Sequence, residues 1–516
     1  MTALSVLQTA SRRKAAPPAS WLVLALFLAQ LSCEGLGRRH YRNVGEELEA
    51  PAERDADAAD AGVESEREPE GPGCGDGTIN RVDEQCDGED LGDADCADHG
   101  FLAGTPGCTE DCELDLSTCE MERVLQWGTS EDDFATDVAV DEQGFIHVTG
   151  VTYGDMDGNG NRGDADAFLT RLSPAGERLW TVQWGSEAQE RATSVAVNGT
   201  VVFVAGWTEG ALEGNEHSGR SDAFVAAFDF EGHGLMIDQF GTALDDQASG
   251  VTSRDADVIS GCVVGSTTGG IHEQENRGGW DAFLHCYAGL SGSGWTTQFG
   301  TTGADKGLAI AANGEDIMVA GYVSGPLFEE PHQGFEDVFV SVYDGGAWRQ
   351  RTHQWGSAEA DLGLAVDGSG LVETVCGWTL GELQAGAYQG MKDAFLNYSV
   401  ASIWNRVQFG TALDDECLDV KIDAINQWIW TAGYTAGDLD GQVSQGDDDA
   451  FLSGFSLQDG HQWTRTWGTG ARDQAQAVTV APDGTVLVAG WTFGSLGSGP
   501  PAGGEDVFLV MVRAQE

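Results

Sequence analysis

One segment is repeated seven times along this chain, and the repetition constrains the fold more than any other feature. An aromatic residue followed by Gly-Thr or Gly-Ser returns at intervals of 57, 56, 59, 56, 54 and 58 residues. The seven aromatics are Trp127, Trp184, Phe240, Phe299, Trp355, Phe409 and Trp467. A fixed period of this length indicates a solenoid, an array or a propeller.

Two further markers repeat in register with the first. The tripeptide Asp-Ala-Phe or Asp-Val-Phe starts at Asp166, Asp222, Asp281, Asp337, Asp393, Asp449 and Asp506. A glycine that closes an apolar run stands at Gly150, Gly206, Gly265, Gly321, Gly377, Gly433 and Gly490. Because three independent markers give the same count, each repeat is expected to form the same structural unit.

Each repeat contains four short runs with the pattern of β-strands. In the first repeat they are residues 135–140, 145–152, 167–172 and 178–184, which alternate, are rich in Val and aromatics, and are bounded by turn residues. Glycine, at 73 of 516 residues, supports many turns. Four strands make one blade of a β-propeller, so the sequence predicts an all-β fold with seven four-stranded blades.

The two ends of the repeat region predict how the ring closes. The last repeat stops after residues 506–512 and lacks a fourth strand, whereas an unmatched strand of the fourth type, residues 123–127, precedes the first repeat. We expect this N-terminal strand to complete the last blade, because closure hides the edges that an open array would expose.

The repeat, with its aromatic-Gly-Thr, its Val-rich pair of strands and its Asp-Ala-Phe, resembles the bacterial β-propeller repeat family. The resemblance covers residues 122–516. It implies a propeller domain over 122–516 in an exported bacterial protein and no generic catalytic activity. It therefore bears on fold and location more than on function.

The first residues have the organisation of an export signal. A basic region at 12–14 precedes an apolar run at 21–31, which is too short to span a bilayer. The run ends at Cys33 and resembles the bacterial lipoprotein signal, although Gln30 stands where that family prefers an aliphatic residue. The resemblance implies a signal peptide over 1–32, and a lipid on Cys33 that anchors the protein at the outer membrane or cell surface. The alternative is an ordinary cleaved signal and a secreted or periplasmic protein.

Residues 33–73 are predicted to be an acidic, disordered linker. Between 46 and 70 there are eleven acids against two arginines, too polar a composition to bury a core. The whole chain has 26 Lys and Arg against 84 Asp and Glu, a net charge of −58. This charge argues against nucleic acid as a partner, since phosphate contacts need cations. It also disfavours peripheral docking on anionic lipid.

Residues 74–120 are predicted to be a small disulfide-rich module. The segment has few aliphatic residues, so crosslinks must replace a core. Fifteen pairings of six cysteines stay open, and zinc binding is the alternative. The runs Cys-Gly-Asp-Gly and Glu-Gln-Cys-Asp-Gly resemble the cysteine-rich modules of myxobacterial surface proteins. The cysteines are Cys74, Cys86, Cys96, Cys108, Cys112 and Cys119.

A loop in the first repeat has the spacing of a calcium-binding loop. Calcium takes six to eight oxygen ligands, which predicts Ca²⁺ as a cofactor of this loop. The twelfth position holds Asp rather than Glu and no helices flank the loop, so a solvated Asn/Gly turn is the alternative. The candidate ligands are Asp155, Asp157, Asn159, Asn161, Asp164 and Asp166.

Two further sets of residues recur at fixed positions. An acid six residues after each repeated aromatic is expected to accept N–H bonds in its own turn, with a cation site at the channel mouth as the alternative. Aromatics that follow the strand-ending glycine would offer flat faces to a sugar or peptide at one rim, although we favour packing between blades. The acids are Asp133, Glu190, Asp246, Asp305, Asp361, Asp415 and Asp473, and the aromatics are Trp207, Tyr322, Trp378, Tyr434 and Trp491.

Four cysteines lie inside the repeats. Cys262 and Cys286 fall on neighbouring strands of one repeat and are predicted to form a disulfide. Cys376 and Cys417 replace small residues in adjacent repeats, where they would either pair or remain buried thiols. The ten histidines fall at unrelated positions, so the sequence shows no arrangement for covalent catalysis.

Two functional hypotheses follow from these features. The first is an exported, lipid-anchored binding or scaffold protein without catalytic activity, whose partner is an extracellular protein or glycan. The second is an extracellular hydrolase or lyase with a site at the mouth of the propeller channel. An enzyme should place a few repeat-specific polar residues with perturbed pKa values in one deep pocket, whereas a scaffold should show only repeated, structural acids there.

Overall fold

The computed structural model describes most of the repeat region and part of the cysteine-rich segment before it. The described residues are 121–513 apart from 254–260, 288, 291–293 and 498–500, together with 79, 85–87, 90–92, 96, 102, 106–109, 112–117 and 119. All of them belong to the compact unit Gly71–Glu516. Within these ranges, no helix has the length and apolar character needed to cross a bilayer.

Several predictions from the sequence fall outside the described residues. The signal peptide at 1–32, the acceptor Cys33 and the acidic linker at 33–73 all lie there, as does Cys74 of the disulfide-rich module. The likeness of that module to myxobacterial surface proteins also stays a prediction.

The cysteine-rich segment is held by crosslinks around a minimal hairpin. Strands β1 (Gly107–Cys108) and β2 (Leu114–Asp115) pair antiparallel. The described cysteines of this segment form disulfides, which replace the core that the segment lacks. Disulfides join Cys86 to Cys108 and Cys96 to Cys119, and Cys112 is disulfide-bonded as well.

The repeat region forms seven four-stranded antiparallel sheets, one per blade. Strand β3 (Glu122–Trp127) comes first. Blade 1 contains β4–β7 (Asp133–Val140, Ile146–Thr152, Asp166–Leu172, Arg178–Trp184), and blade 2 contains β8–β11 (Glu190–Asn198, Val201–Thr208, Asp222–Asp229, Gly234–Phe240). Blade 3 contains β12–β15 (Asp246–Ser253, Gly261–Thr267, Asp281–Tyr287, Gly294–Phe299), and blade 4 contains β16–β19 (Lys306–Asn313, Asp316–Val323, Asp337–Tyr343, Arg349–Trp355).

The remaining blades follow the same order. Blade 5 contains β20–β23 (Asp361–Ser369, Val372–Thr379, Asp393–Val400, Ile403–Phe409), and blade 6 contains β24–β27 (Asp415–Asp423, Trp428–Thr435, Asp449–Ser456, Gly460–Trp467). Blade 7 contains β28–β30 (Asp473–Val480, Thr485–Thr492, Asp506–Arg513) together with β3. Three 3₁₀ turns, Met156–Gly158, Ile271–Glu273 and Leu439–Gly441, connect the second and third strands of blades 1, 3 and 6.

The N-terminal strand closes the ring, as predicted. Strand β3 pairs antiparallel with β30, from Glu122 opposite Val512 to Trp127 opposite Val507. The fourth strand of the last blade therefore comes from the start of the repeat region. The predicted all-β propeller with seven four-stranded blades is confirmed.

The strand boundaries differ slightly from the prediction. The first and third strands of blade 1 begin at Asp133 and Asp166, one or two residues earlier than expected. These two acids continue the ladder, since Asp133 lies opposite Thr152 and Thr152 lies opposite Asp166. The acids are thus part of the sheet and not of the loop before it.

The repeated phenylalanine and glycine form the centre of each blade. Phe168 is fully buried, and a Cβ on Gly150 would come within 3.0 Å of its ring and would collide with the Phe134 carbonyl. Only glycine allows the strand to approach so closely, which explains the third sequence marker. The equivalent phenylalanines Phe224, Phe283, Phe339, Phe395, Phe451 and Phe508 are also fully buried.

Two disulfides reinforce the propeller. Cys262 of β13 bonds to Cys286 of β14 inside blade 3, as predicted. Cys376 of β21 bonds to Cys417 of β24 and so links blades 5 and 6. Of the two alternatives left open for Cys376 and Cys417, the structure shows pairing across blades.

Candidate functional site

The seven repeated acids at the start of the inner strands, or directly before it in the case of Asp305, each close a turn in their own blade. Each accepts a bond from the backbone N–H four residues earlier, as from Thr242 to Asp246 and from Thr301 to Asp305, both at 2.5 Å. All seven carboxyl groups are buried, and none lines the central cavity. The prediction that they serve as turn acceptors is confirmed. The other pairs are Thr129 with Asp133, Ser186 with Glu190, Ser357 with Asp361, Thr411 with Asp415, and Thr469 with Asp473.

In six of the seven copies, the Asp of the Asp-Ala-Phe or Asp-Val-Phe tripeptide is held by a glutamine that sequence reasoning missed. Gln183 Nε2 donates to Asp166 Oδ2 and to the Gly154 carbonyl, both at 2.9 Å, while its Oε1 accepts the Met156 N–H at 2.9 Å. The sequence could have indicated this glutamine, because Gln precedes the repeated aromatic in six of seven copies. The same three bonds are made by Gln126, Gln239, Gln298, Gln354 and Gln408.

The glycine after the repeated aromatic lies between these two kinds of acid. A Cβ on Gly128 would fall closer than 3.0 Å to carboxylate oxygens of both Asp506 and Asp133, and Gly185, Gly300 and Gly356 have the same surroundings. The first two sequence markers and the repeated acids therefore meet in one buried cluster at the start of each inner strand. Its acids are engaged in holding the fold.

The channel at the centre of the ring is lined by the innermost strand of every blade. It contains a cavity of about 400 Å³. Each inner strand has a β-bulge directly after its small residue, for example between Ala135 and Asp137 and between Cys417 and Asp419. A bulge frees a backbone N–H from the ladder, and such a group needs another acceptor.

In three blades, a side chain of the preceding blade supplies such an acceptor. Asp137 Oδ2 accepts the Val195 N–H at 2.8 Å, and Asp419 Oδ2 accepts the Val478 N–H at 2.7 Å. Ser194 occupies the same position in blade 2 and accepts the Val251 N–H at 3.2 Å. The remaining blades carry Gly or Ala there, so the carboxyl groups in the channel belong to particular blades.

Four ionisable groups consequently line the central cavity: Asp137, Asp367, Asp419 and Lys421. Lys421 forms an ion pair with Asp367 at 3.3 Å. Burial raises the pKa of Asp137 to about 6. Burial, together with the nearby charge of Asp137, raises the pKa of Asp419 to about 8. The cavity therefore holds two carboxyl groups with raised pKa values beside the ion pair of Asp367 and Lys421.

This titration predicts a pH dependence of stability. A carboxyl whose folded-state pKa is raised stabilises the fold below its unfolded pKa and loses that contribution as pH rises through the folded value. We expect the free energy of unfolding to fall by about 1 kcal/mol from pH 7 to pH 9 through Asp419. Denaturant midpoints at the two pH values measure it. Burial lowers the pKa of His147 and His285. These two histidines therefore make stability rise with pH, but only below pH 6.5, so they do not contribute between pH 7 and pH 9.

The matched variant for this prediction is Asp419→Ser, which installs the residue that blade 2 uses at the same position. A serine keeps an acceptor for the Val478 N–H but cannot ionise, so the stability difference between pH 7 and 9 should become smaller. Ser194→Ala serves as the control and should leave the pH dependence unchanged. An unchanged pH dependence in Asp419→Ser would show that Asp419 does not titrate in this range.

The predicted calcium ligands of blade 1 bond mainly to protein groups. Asp155 Oδ1 accepts the Gly160 N–H at 2.6 Å, and Asp157 pairs with Arg178 at 3.0 Å and with Thr181 Oγ1 at 2.7 Å. Asn159 donates to the Met156 carbonyl at 2.7 Å, Asn161 to the Tyr153 carbonyl at 2.8 Å, and Asp166 is held by Gln183. Asp164 donates its N–H to the Ala188 carbonyl.

The geometry of this loop does not depend on its acids. Blade 3 forms the same 3₁₀ turn with Ile271–Glu273, and the central residue has a positive φ in both loops, 56° at Asp157 and 46° at His272. Among the residues that the structure describes, no three His, Cys, Asp or Glu side chains are grouped so that they could hold a metal ion. Calcium binding by this loop stays a prediction, which a calcium titration followed by calorimetry would test.

The five candidate rim aromatics lie half-buried or buried at the ends of the second strands. Trp491 packs edge-on against Phe134 of blade 1 at 5.5 Å, and the Lys392 ammonium lies 4.8 Å from the centre of the Trp378 ring. The Tyr434 hydroxyl donates to Glu416 at 2.7 Å. Trp207 and Tyr322 lie beside Arg191 and Lys306 across the sheet. None of the five lines the central cavity, and a ligand-binding role for them stays a prediction.

The fold of this chain and the contacts between its blades together define a protein built from β-propeller repeats. A family model described as "Beta-propeller repeat" matches residues 122–155, which confirms the predicted resemblance. A curated relative, "Regulatory protein FlaEY" of Caulobacter vibrioides, is 24% identical over 371 residues, covering 63% of this chain. The aligned part spans only 37% of that relative's length.

Two solved structures that match the chain share little sequence with it. The WD40 domain of Neurospora crassa Pan2 has 9% identity and a TM-score of 0.43, covering 75% of this chain and 98% of that one. Hydrazine synthase of Kuenenia stuttgartiensis has 10% identity and a TM-score of 0.43, covering 70% of this chain and 94% of that one.

Proposed function

We propose that this protein is a non-catalytic binding or scaffold propeller, exported and anchored by a lipid on Cys33, that recognises an extracellular protein or glycan. One observation carries the proposal. In each blade the repeated acids bond to backbone and glutamine groups of the fold, as Asp166 does with Gln183 and Arg162. Recognition is therefore left to the residues in which individual blades differ. The regulatory role in the name of the Caulobacter relative is compatible with a function exercised through binding.

An array experiment tests this function. The mature full-length chain, purified without its signal peptide, is applied to glycan and protein arrays to measure binding. The same protein is incubated with a panel of extracellular polymers in a hydrolysis assay to measure cleavage. We expect saturable binding to one ligand class with no release of polymer fragments. Polymer cleavage, or the absence of binding across the arrays, would contradict the proposal.

The location is proposed from the lipoprotein-like signal. If Cys33 carries the anchor, Cys33→Ser should shift the protein from the membrane fraction to the soluble fraction of a bacterial host, because the acyl chains would no longer form. Immunoblotting of fractions from cells that express the full chain measures the shift. A variant at the preceding residue, Ser32→Ala, keeps a small side chain and should leave the protein in the membrane fraction. Equal distribution of parent and Cys33→Ser would support a secreted or periplasmic protein instead.

One observation favours the alternative of an extracellular hydrolase or lyase. Asp137 and Asp419 are blade-specific carboxyl groups with raised pKa values in one polar cavity, which is what general acid–base catalysis requires. Against it, the oxygens of both carboxyls already accept backbone N–H groups. If the array experiment shows cleavage, Asp137→Asn and Asp419→Asn should each abolish it.

A further inference from the structure

A second cavity lies away from the channel, between the outer strands of blades 4 and 5. It is a cleft of about 470 Å³, within the ~300–1,000 Å³ of small-molecule sites. His353 and Trp355 of β19 line it from blade 4, and Trp404 and Arg406 of β23 line it from blade 5. Asn397 of β22 also contributes to the lining.

The residues of this cleft depart from the repeat. At the position of Arg406, three residues before the repeated aromatic, the other blades carry Thr, Ile or Val. In blades 1, 4 and 6 the cross-strand pair at this level consists of small hydroxyl residues, as in Thr170 with Thr181 at 3.0 Å and Ser341 with Thr352 at 2.8 Å. A charged residue at a position that is uncharged in the other blades points to a role specific to this blade.

Trp404 is a second departure. The equivalent residues in blades 1, 2, 4 and 6 are Leu179, Leu235, Gln350 and Gln462. The Trp404 side chain remains 36% exposed, and its ring lies 5.9 Å from the rings of both Trp355 and His353. An exposed aromatic surface beside polar groups suits a sugar ring, which has one apolar face and many hydroxyls.

The charge of the cleft is opposite to that of the chain. The protein has a net charge of −58, yet no Asp or Glu lines this cleft. The Arg406 guanidinium donates to Asn397 Oδ1 at 3.1 Å and to the Leu383 carbonyl at 3.2 Å, both neutral acceptors. These two neutral acceptors fix the orientation of the guanidinium. The buried Asp361 acts on its charge from outside the cleft lining, and no hydrogen bond joins the two groups, so the guanidinium can still bind a carboxylate on a ligand.

We propose that this cleft binds a carboxylate-bearing saccharide, a uronic acid unit of an acidic glycan. The Arg406 guanidinium binds the carboxylate, and the face of the sugar ring packs on Trp404. This inference rests on the proposed binding function and specifies its ligand class. It places recognition at the rim between blades 4 and 5, outside the central channel.

The test measures binding of two defined trisaccharides to the mature full-length chain by calorimetry. Trigalacturonic acid carries the carboxylates and maltotriose is the neutral counterpart. We expect trigalacturonic acid to bind and Arg406→Thr to weaken its binding about 10- to 100-fold, since hydrogen bonds to charged groups are worth roughly 1.5–3 kcal/mol. Trp404→Gln should weaken binding as well. Both variants install residues that other blades carry at these positions, so the fold should persist, as circular dichroism will show.

Matched controls are Arg220→Thr and Trp348→Gln, which remove an exposed arginine and an exposed tryptophan outside the cleft. Neither should change the affinity. Equal binding of maltotriose, or trigalacturonic acid binding that survives both cleft variants, would overturn the inference. If the arrays find a ligand whose binding these variants leave intact, the proposed function stands and this site fails. If nothing binds to the arrays or to the trisaccharides, both fail.

Discussion

A chain that begins at Gly128, and so lacks β3, is expected to lose the stable propeller. Strand β3 supplies the fourth strand of blade 7, where Trp127 is buried and Gln126 bonds to Asp506 at 2.8 Å. It also reaches blade 6, because Trp467 Nε1 donates to Glu122 at 2.9 Å. Losing these contacts should lower the free energy of unfolding by about 5–10 kcal/mol, as much as most domains possess. Denaturant midpoints and light scattering measure the loss of stability and the aggregation.

The control is a chain that begins at Met121, which lacks the disulfide-rich module but keeps β3. This chain should unfold close to the midpoint of the longer protein, since the ring is intact. A synthetic peptide with the sequence of residues 121–127 should bind the shorter chain and restore part of its stability. If the chains that begin at Met121 and Gly128 unfold at the same midpoint, β3 does not close the ring.

The ring could be predicted because each repeat carries its own structural markers. Gly150 permits close approach to Phe168, and Asp166 anchors the loop between the second and third strands, so both had to recur in each copy. The unmatched strand at 123–127 predicted closure, because it was the one strand missing from the last repeat. The glutamines, such as Gln183, recur equally well and could have been recognised in the same way.

The channel could not be predicted to the same depth. Asp137 and Asp419 come from blades far apart in the sequence, and only ring closure brings their charges close enough to interact. The bulge that turns each of these residues toward the channel adds one residue to the strand, which breaks the alternation that identifies strands in a sequence. The same holds for the cleft, because Trp404 and Trp355 meet only when two blades pack side by side.

Repeated residues stabilise the blades, whereas the residues that belong to one blade are the ones we propose for ligand binding. Arg162, Gln183 and Asp166 have counterparts in other blades because they solve a problem that every blade has. Arg406 and Trp404 are specific to blade 5, since blade 4 forms the same strands with Thr352 and Gln350 at the same positions. Variants of the first kind should therefore lower stability, whereas variants of the second kind should alter binding with the fold intact.

The largest single-residue effect is expected for Gly185→Ala. A Cβ at this position would collide with Asp166 Oδ1 and with Glu190 Oε2, and both carboxyl groups are fixed by hydrogen bonds inside the blade. Gly185 has no positive φ, so the cost comes from this overlap and not from backbone strain. We expect the free energy of unfolding to fall by about 2–4 kcal/mol, the range for overpacking and disruption of a buried network. Denaturant unfolding of the full-length chain measures it.

Two further variants test this explanation. Gly470→Ala is the control, because no heavy atom lies within 4 Å of its Cβ and its φ is unstrained, and it should leave stability nearly unchanged. In the background of Asp166→Ala, one of the two colliding carboxylates is gone, so Gly185→Ala should cost less than in the parent chain. Additive costs in this double-variant cycle would mean that the glycine is not required by the acids, and the first sequence marker would then need another physical origin.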